Sequence, residues 1–374
     1  MHIAIISNSF QEEYERNLLN SLVGKVEKVD FIGPSSYDKE SFDRRIRYLD
    51  YRGNDKQSSF TGKFVRNIKY YFNLLTYFTT TKATIIHFQW LRFPILDGVI
   101  LPLYLKVLGK RIFYTAHNVL PHNKENSFVR FQFRLIYRTM HRIIVHTEYI
   151  RGRIQNEFGV SPSKLNVVIH GVYERELDPE LTREAARKYF KMSSGAVVVL
   201  LFGSISKYKG LDILLKSMDS LAKDNLQLLV AGSLDPDYKM EFDALVEKYK
   251  SKNIVFVIRR IEDAEVEYCF KAADVTVLPY REASQSGVLF MSYAYGVPVI
   301  APKMGGFVKD IVPEKTGLLF LPNDDKDLAH KIDEFSEHPY FRSLESRVNI
   351  RNYGLKNYSW SKSAEELKSV YELS

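Results

Sequence analysis

Short apolar runs alternate with helical stretches along the whole chain, and that alternation leaves few folds open. In the first half the runs are "HIAIIS", "KVEKVDFIG", "ATIIHFQW", "KRIFYTAHN", "RIIVHT" and "LNVVIHG". In the second half they are "AVVVLLFGSI", "LQLLVAGS", "NIVFVIR", "DVTVLPY", "PVIAP" and "GLLFLP". Strands that alternate with helices predict an α/β protein whose parallel sheets carry helices on both faces. Most runs end in Ser, Gly, His, Asn or Pro, the residues of strand-to-helix loops that face ligands. A doubly wound sheet binds its ligands outside the carboxyl ends of its strands. Two such sheets therefore predict two domains that face a central cleft. The boundary is expected in "HGVYERELDPELTREAA", where charge rises and apolar periodicity lapses, which sets domains at 1–172 and 173–355. The closing "YSWSKSAEELKSVYEL" reads as an amphipathic helix begun by a Ser cap, within 356–374.

Composition removes several alternatives. The single cysteine, Cys269, forbids an internal disulfide and argues against a cysteine metal site; its setting "EYCFKAAD" reads as helical core. The opening "MHIAIIS" starts at once as a strand and not as a signal peptide, so a cytoplasmic protein is expected. The longest apolar run, "FPILDGVILPLYLKVLG" (93–109), contains Asp97 and Lys106, is too short to span a bilayer comfortably, and reads as a buried helix. Charge is uneven. Residues 1–170 carry 25 Lys and Arg against 14 Asp and Glu, and the remainder carries 28 against 31. The excess lies among aromatics in "GKFVRNIKYYFNLLTYF" (62–78) and "FVRFQFRLIYRTMHR" (128–142), both at helical spacing. Core-packed helices with solvated charges are one reading. Peripheral contact with an anionic membrane surface is the other, with Arg130, Arg134 and Arg138 along one helix face. No nucleic-acid reader motif is present.

Two loops are suited to phosphate. "LLFGSISKYKGLDILLKSM" (200–218) is a strand, a glycine loop and a helix, with Gly203 permitting close backbone approach and Lys209 offering an ammonium to a diphosphate. "SQSGV" (284–288) opens a second helix at Ser286 and Gly287, whose first amides lack partners within the helix. Two such loops in one domain suit a diphosphate held from both sides. Together with "ADVTVLPYREASQSGVLFMSYAYGVPVIAPKMGG", "KTGLLFLPND", "IIHFQWLRFP", "YTAHNVLPH" and "IIVHTEYIRGRI", these stretches resemble the family 4 retaining glycosyltransferases of GT-B architecture, many of which build bacterial surface polysaccharides. The resemblance covers nearly the whole chain and is most specific around Gly296 to Ala301 and Gly305-Gly306.

The likeness implies two Rossmann-like domains, the first binding the acceptor and the second a UDP- or GDP-sugar, with the C-terminal helix crossing back to the first. It places the nucleobase against Arg259, Arg260 and Ile261, and the diphosphate on Lys209 and the amides of Ser286, Gly287 and Val288. It implies no metal and no other cofactor, since fixed cations and helix amides stabilise the leaving diphosphate. His117 in "TAHN" matches a histidine near the reacting sugar, with Asn118 beside it; His87 and Trp90 in "HFQW" would shape the acceptor side. His146 and His170 read as cleft wall or core.

The chain departs from the family pattern in three places. Ser204 stands where an arginine is common, and Lys207 is the nearest replacement cation, though an ammonium cannot reproduce a guanidinium fork. The usual carboxylate pair falls on Ala283 and Met291, leaving Glu282 as the neighbouring carboxylate. "SNSFQEEYERN" replaces the N-terminal glycine-rich loop. The expected activity is metal-independent hexosyl transfer (class EC 2.4) from a nucleotide sugar to a saccharide acceptor, polyprenyl-diphosphate-linked at the inner face of the cell membrane, in capsule, exopolysaccharide or lipopolysaccharide synthesis. A non-catalytic partner subunit and a nucleotide-sugar epimerase on the same fold are the alternatives.

Overall fold

The computed structural model describes residues 1–8, 11–51, 53, 60–121, 126–173, 176–221, 223–250, 253–282 and 285–373. The chain forms two compact units, one of Met1–Gly171 with Trp360–Ser374, the other of Val172–Ser359.

In the first unit the strands and helices run β1 His2–Ile6, α1 Glu12–Leu22, β2 Lys28–Ile32, β3 Ile46–Leu49, α2 Phe60–Thr80, β4 Ile85–Phe88, α3 Leu101–Val107, β5 Arg111–Thr115, α4 Ser127–Thr139, β6 Arg142–Val145, α5 Glu148–Phe158 and β7 Leu165–Val167. The seven strands pair in parallel in the order β3-β2-β1-β4-β5-β6-β7. The order reverses between β1 and β4, and a ligand crevice is expected at such a switch point. Strand β3 was not among the six runs read from the sequence. Its "IRYL" sits at the sheet edge with one buried residue, so it lacks the apolar run that marks an inner strand. Side-chain caps start the helices locally: Thr147 accepts from the amide of Ile150 at α5, and Asn126 from that of Val129 at α4.

A second correction concerns residues 93–109. They form a π-turn at Leu96–Ile100 and the short α3, not a buried helix. Leu101 and Leu105 enter the core, but Ile100, Leu103 and Val107 face solvent, Val107 with 85 % of its surface exposed. No helix of the described residues is long and apolar enough to cross a membrane.

The second unit runs α6 Arg183–Tyr189, β8 Val197–Phe202, α7 Leu211–Leu221, β9 Leu226–Gly232, α8 Lys239–Lys248, β10 Ile254–Ile258, α9 Asp263–Ala272, β11 Val275–Val277, α10 Gly287–Ala294, β12 Val299–Pro302, α11 Phe307–Asp310, β13 Gly317–Phe320, α12 Asp325–Glu337 and α13 Leu344–Asn357. Its six parallel strands are ordered β10-β9-β8-β11-β12-β13, with the reversal between β8 and β11. Central β8 is buried along its whole length, as a continuous apolar run in a doubly covered sheet should be. Cys269 on α9 is fully buried. The last helix, α14 Trp360–Glu372, returns to the first unit, where Tyr371 Oη lies 2.6 Å from His87 Nδ1. Both units are thus doubly wound.

Candidate functional site

In the second unit the two loops singled out from the sequence leave β8 and β11, the strands that flank the reversal. They are joined by contacts that depend on glycine. Gly210 holds φ +71°, and a Cβ there would lie 1.9 Å from the Pro279 carbonyl oxygen, so no other residue lets the loops meet. Gly203 holds φ +104°, and its open Cα edge faces Val288 in the first turn of α10. The amide of Arg281 donates to the Tyr208 carbonyl at 2.8 Å, and its guanidinium forks onto Asp212 at 2.8 and 2.7 Å.

Lys209 sits between these loops with only 8 % of its surface exposed. Its Nζ donates to Tyr280 Oη at 2.5 Å and lies 3.9 Å from the Tyr280 ring centroid and 5.2 Å from that of Tyr208. Tyr280 Oη is in turn 3.1 Å from Ser286 Oγ, at the N-cap of α10. No carboxylate pairs with Lys209 among the described residues, and burial lowers its pKa from the usual lysine value. A hydroxyl and two rings surround this cation, which suits an anion arriving from outside.

The remaining expected donor residues divide. Ser286 is buried, Gly287 and Val288 are half-buried, and Ser204 and Glu282 are exposed. Lys207 lies on an exposed surface, where its Nζ pairs with Glu241 at 2.7 Å. Arg259 is also occupied, both guanidinium nitrogens lying 2.6 Å from Glu265, whose pKa falls to about 2 through those bonds. Arg260 is exposed and Ile261 half-buried. Met291 is half-buried, and Ala283 lies outside the described residues. Tyr208, Tyr280 and Asp212 were missed by the sequence reading, although both tyrosines stand inside the quoted loops.

In the first unit the loops after β4, β5, β6 and β7 bring rings together around Tyr14 of α1. Its ring centroid is 5.6 Å from Trp90, 5.1 Å from His117, 5.8 Å from His146, 5.2 Å from His170 and 5.2 Å from Trp360. His117 stacks on Trp90 at 3.7 Å and 12°. Its Nε2 is buried and has no hydrogen-bond partner among the described residues. Desolvation first, then His146, His170 and His87, push its pKa well below the usual histidine value, so the ring is neutral. His146 makes bonds to Tyr14 Oη and the Val168 carbonyl, and burial lowers it to about 4. His87 corrects an expectation. It is fully buried, with Tyr371 and Thr115 on its two nitrogens at 2.6 and 2.8 Å, so no atom remains for an acceptor. Burial lowers its pKa to about 3. Asn118 follows His117 and is half-buried. Tyr14, the hub of the cluster, carried no signal in the sequence beyond its helix period.

A cavity of about 650 Å³ in this unit lies at the opposite end of the sheet, among Met1, His2, Lys28, Arg47 and Thr84. Those residues precede or begin strands, away from the carboxyl ends where doubly wound sheets bind ligands.

Two family models match the chain: Glycosyltransferase Family 4 over residues 11–175 and Glycosyl transferases group 1 over residues 182–357. A D-inositol 3-phosphate glycosyltransferase of Thermobifida fusca is 25 % identical over 239 residues, covering 62 % of this chain and 54 % of that protein. The chain spans about half the length of the curated relatives it matches. Among solved structures, a sucrose-phosphate synthase from Thermosynechococcus elongatus aligns with a TM-score of 0.76 at 20 % identity, covering 100 % of this chain and 98 % of its own. Anabaena HepE in complex with UDP-glucose aligns with a TM-score of 0.76 at 13 % identity, covering 100 % and 99 %.

Proposed function

The chain belongs to the GT-B glycosyltransferases, and from that membership we propose that it transfers a hexose from a nucleoside-diphosphate sugar to a saccharide acceptor. One observation carries the reading. The Lys209 ammonium is buried at a switch point with no carboxylate on it among the described residues, linked through Tyr280 to Ser286 at the N-cap of α10. A buried charge is costly unless it is paired, and a diphosphate supplies the missing partner.

In this proposal Lys209 and the amides of Ser286, Gly287 and Val288 hold the diphosphate, and Gly203 lets backbone approach it. The base lies against residues 259–261, with the backbone rather than the occupied Arg259 fork in contact. Glu282 takes the ribose in place of the carboxylates absent at 283 and 291. His117 offers its unpartnered Nε2 to a sugar hydroxyl, with Trp90 fixing the ring by stacking. Because its imidazole is neutral, it orients through a hydrogen bond and does not donate a full proton.

The bond from the sugar C1 to the diphosphate oxygen breaks, and an acceptor oxygen bonds to C1. The acceptor proton passes to the leaving diphosphate, on the same face, with retention of configuration. Positioning and charge stabilisation are the protein's contribution. No metal enters the proposal. The acceptor is a saccharide growing on a polyprenyl diphosphate in surface-polysaccharide synthesis, at an anionic membrane surface. HepE, crystallised with UDP-glucose, supports a donor of this class by likeness of fold alone.

The test is incubation with a panel of UDP- and GDP-sugars, with and without EDTA, following release of nucleoside diphosphate. Donor hydrolysis, or transfer to an added saccharide, that survives EDTA supports the reading. A new sugar nucleotide would indicate an epimerase, and tight binding without turnover a non-catalytic subunit.

A further inference from the structure

We infer that the outer surfaces of α2, α3 and α4 form one docking face for an anionic lipid bilayer, with α2 inserting side chains below the headgroups. This extends the membrane part of the proposed function but rests on the surface itself, separately from glycosyl transfer.

Helix α2 is apolar on two faces. Tyr70, Leu74, Tyr77 and Phe78 are buried against the sheet. Phe64, Ile68, Phe72 and Leu75, spaced four, four and three apart, form a second stripe turned roughly opposite, with Val65 beside it. All five are exposed, Phe72 with 67 % of its surface. An ordinary surface helix has a polar outer face, so this second stripe calls for an occupant. It does not stand alone. Tyr71 Oη donates to Asp97 at 2.8 Å, tying α2 to the π-turn before α3, whose Ile100, Leu103 and Val107 face solvent. The π-turn packs in turn on α4, where Gly98 meets Ile136. At the start of α4, Phe128 and Phe131 are exposed, followed on the same side by Arg134 and Arg138. Of the twenty large apolar side chains exposed among the described residues, twelve fall between Phe64 and Phe131.

Charge selects the occupant. From residue 60 to 142 the sequence holds thirteen Lys and Arg against two acidic residues, Asp97 and Glu125. Asp97 is buried. Lys63, Lys69, Lys106, Arg134 and Arg138 are exposed on the same three helices. Apolar stripes rimmed by cations match an anionic interface, where the rings enter the acyl boundary and the cations remain at the headgroups. A second copy of this chain would bring the same positive charge against itself. Arg130 is not part of the face, because Glu157 engages it at 3.1 Å.

Co-sedimentation with vesicles tests the inference, using phosphatidylcholine alone or with roughly a third phosphatidylglycerol. The full chain is expected to bind the anionic vesicles more tightly. Changing Lys63, Lys69, Arg134 and Arg138 to Gln should remove that preference, at about fivefold per charge (about 1 kcal/mol each). Phe64→Ser with Ile68→Ser and Phe72→Ser should weaken binding to anionic vesicles at least about tenfold, including at high salt. Should that variant fold poorly, Phe72→Trp provides a second reading: its added emission should shift blue on vesicles and be quenched by brominated lipid. Absence of vesicle binding, wild-type binding by the triple serine variant, or an unquenched Trp at 72 overturns the inference. So does a dimer that the serine variant converts to monomer without any change in vesicle binding. Release of nucleoside diphosphate from soluble donor, followed in parallel, should be unchanged in these variants; its failure in the wild type would refute the transferase reading and leave docking to be judged by the vesicles.

Discussion

Lys209→Met should separate stability from function, moving them in different directions. The side chain is 92 % removed from solvent, with a hydroxyl and two rings around its ammonium and no carboxylate among the described residues. Desolvation of such an ion costs several kcal/mol. Against that stand a cation–π contact of about 2 kcal/mol and a charged hydrogen bond of about 1.5 to 3 kcal/mol. These nearly cancel, so a methionine of similar length should change folding stability by no more than about 1 kcal/mol. The lowered pKa gives a further sign. In the folded protein the charged form is disfavoured, so wild-type stability should rise with pH across the alkaline interval between the folded and ordinary lysine values. Methionine should abolish that rise. Turnover should behave otherwise. Loss of a cation that meets the leaving diphosphate removes about 2 to 4 kcal/mol of transition-state stabilisation, or about 30- to 1,000-fold in rate. Thermal unfolding across pH and nucleoside diphosphate release measure the two quantities. A variant that turns over normally would refute the donor assignment, and one that unfolds far below wild type would show that Lys209 is a structural cation.

Gly210→Ala should cost more than about 2 kcal/mol, because a Cβ at φ +71° drives into the Pro279 carbonyl; denaturant titration checks this, and a neutral result would mean the loops can separate. Glu282→Gln should lower turnover while leaving the unfolding temperature unchanged, since its side chain is exposed; unaltered turnover would assign the loop's work to its amides. Glu15, fully buried on α1, has its pKa raised to about 8 by desolvation. Its folded pKa lies above the unfolded value, so its contribution is fully present below about 4.5 and is lost as pH rises to about 8. Glu15→Gln should therefore stabilise the protein increasingly over that interval, and a constant difference in unfolding temperature would contradict the assignment.

The alternation of runs, the two loops after β8 and β11 and the glycines within them were legible in the sequence because they are local. A buried parallel strand must be apolar along its length, as in "VVVLLF", and a turn that meets another backbone needs a glycine, as at Gly210. Edge strand β3 was missed because one buried residue in four leaves no such run. Side-chain partners were another matter. The fold sets Glu241 against Lys207 and Glu265 against Arg259, and His87, expected on the acceptor side, has its two nitrogens occupied by Tyr371 and Thr115. Lys209, by contrast, meets no carboxylate among the described residues and gained Tyr280 from a strand end 71 residues away. Helix period showed that α2 was apolar, but only the sheet beneath it decided which apolar face was core and which faces solvent. Periodicity is written along one chain, whereas burial and charge pairing depend on what the topology brings alongside.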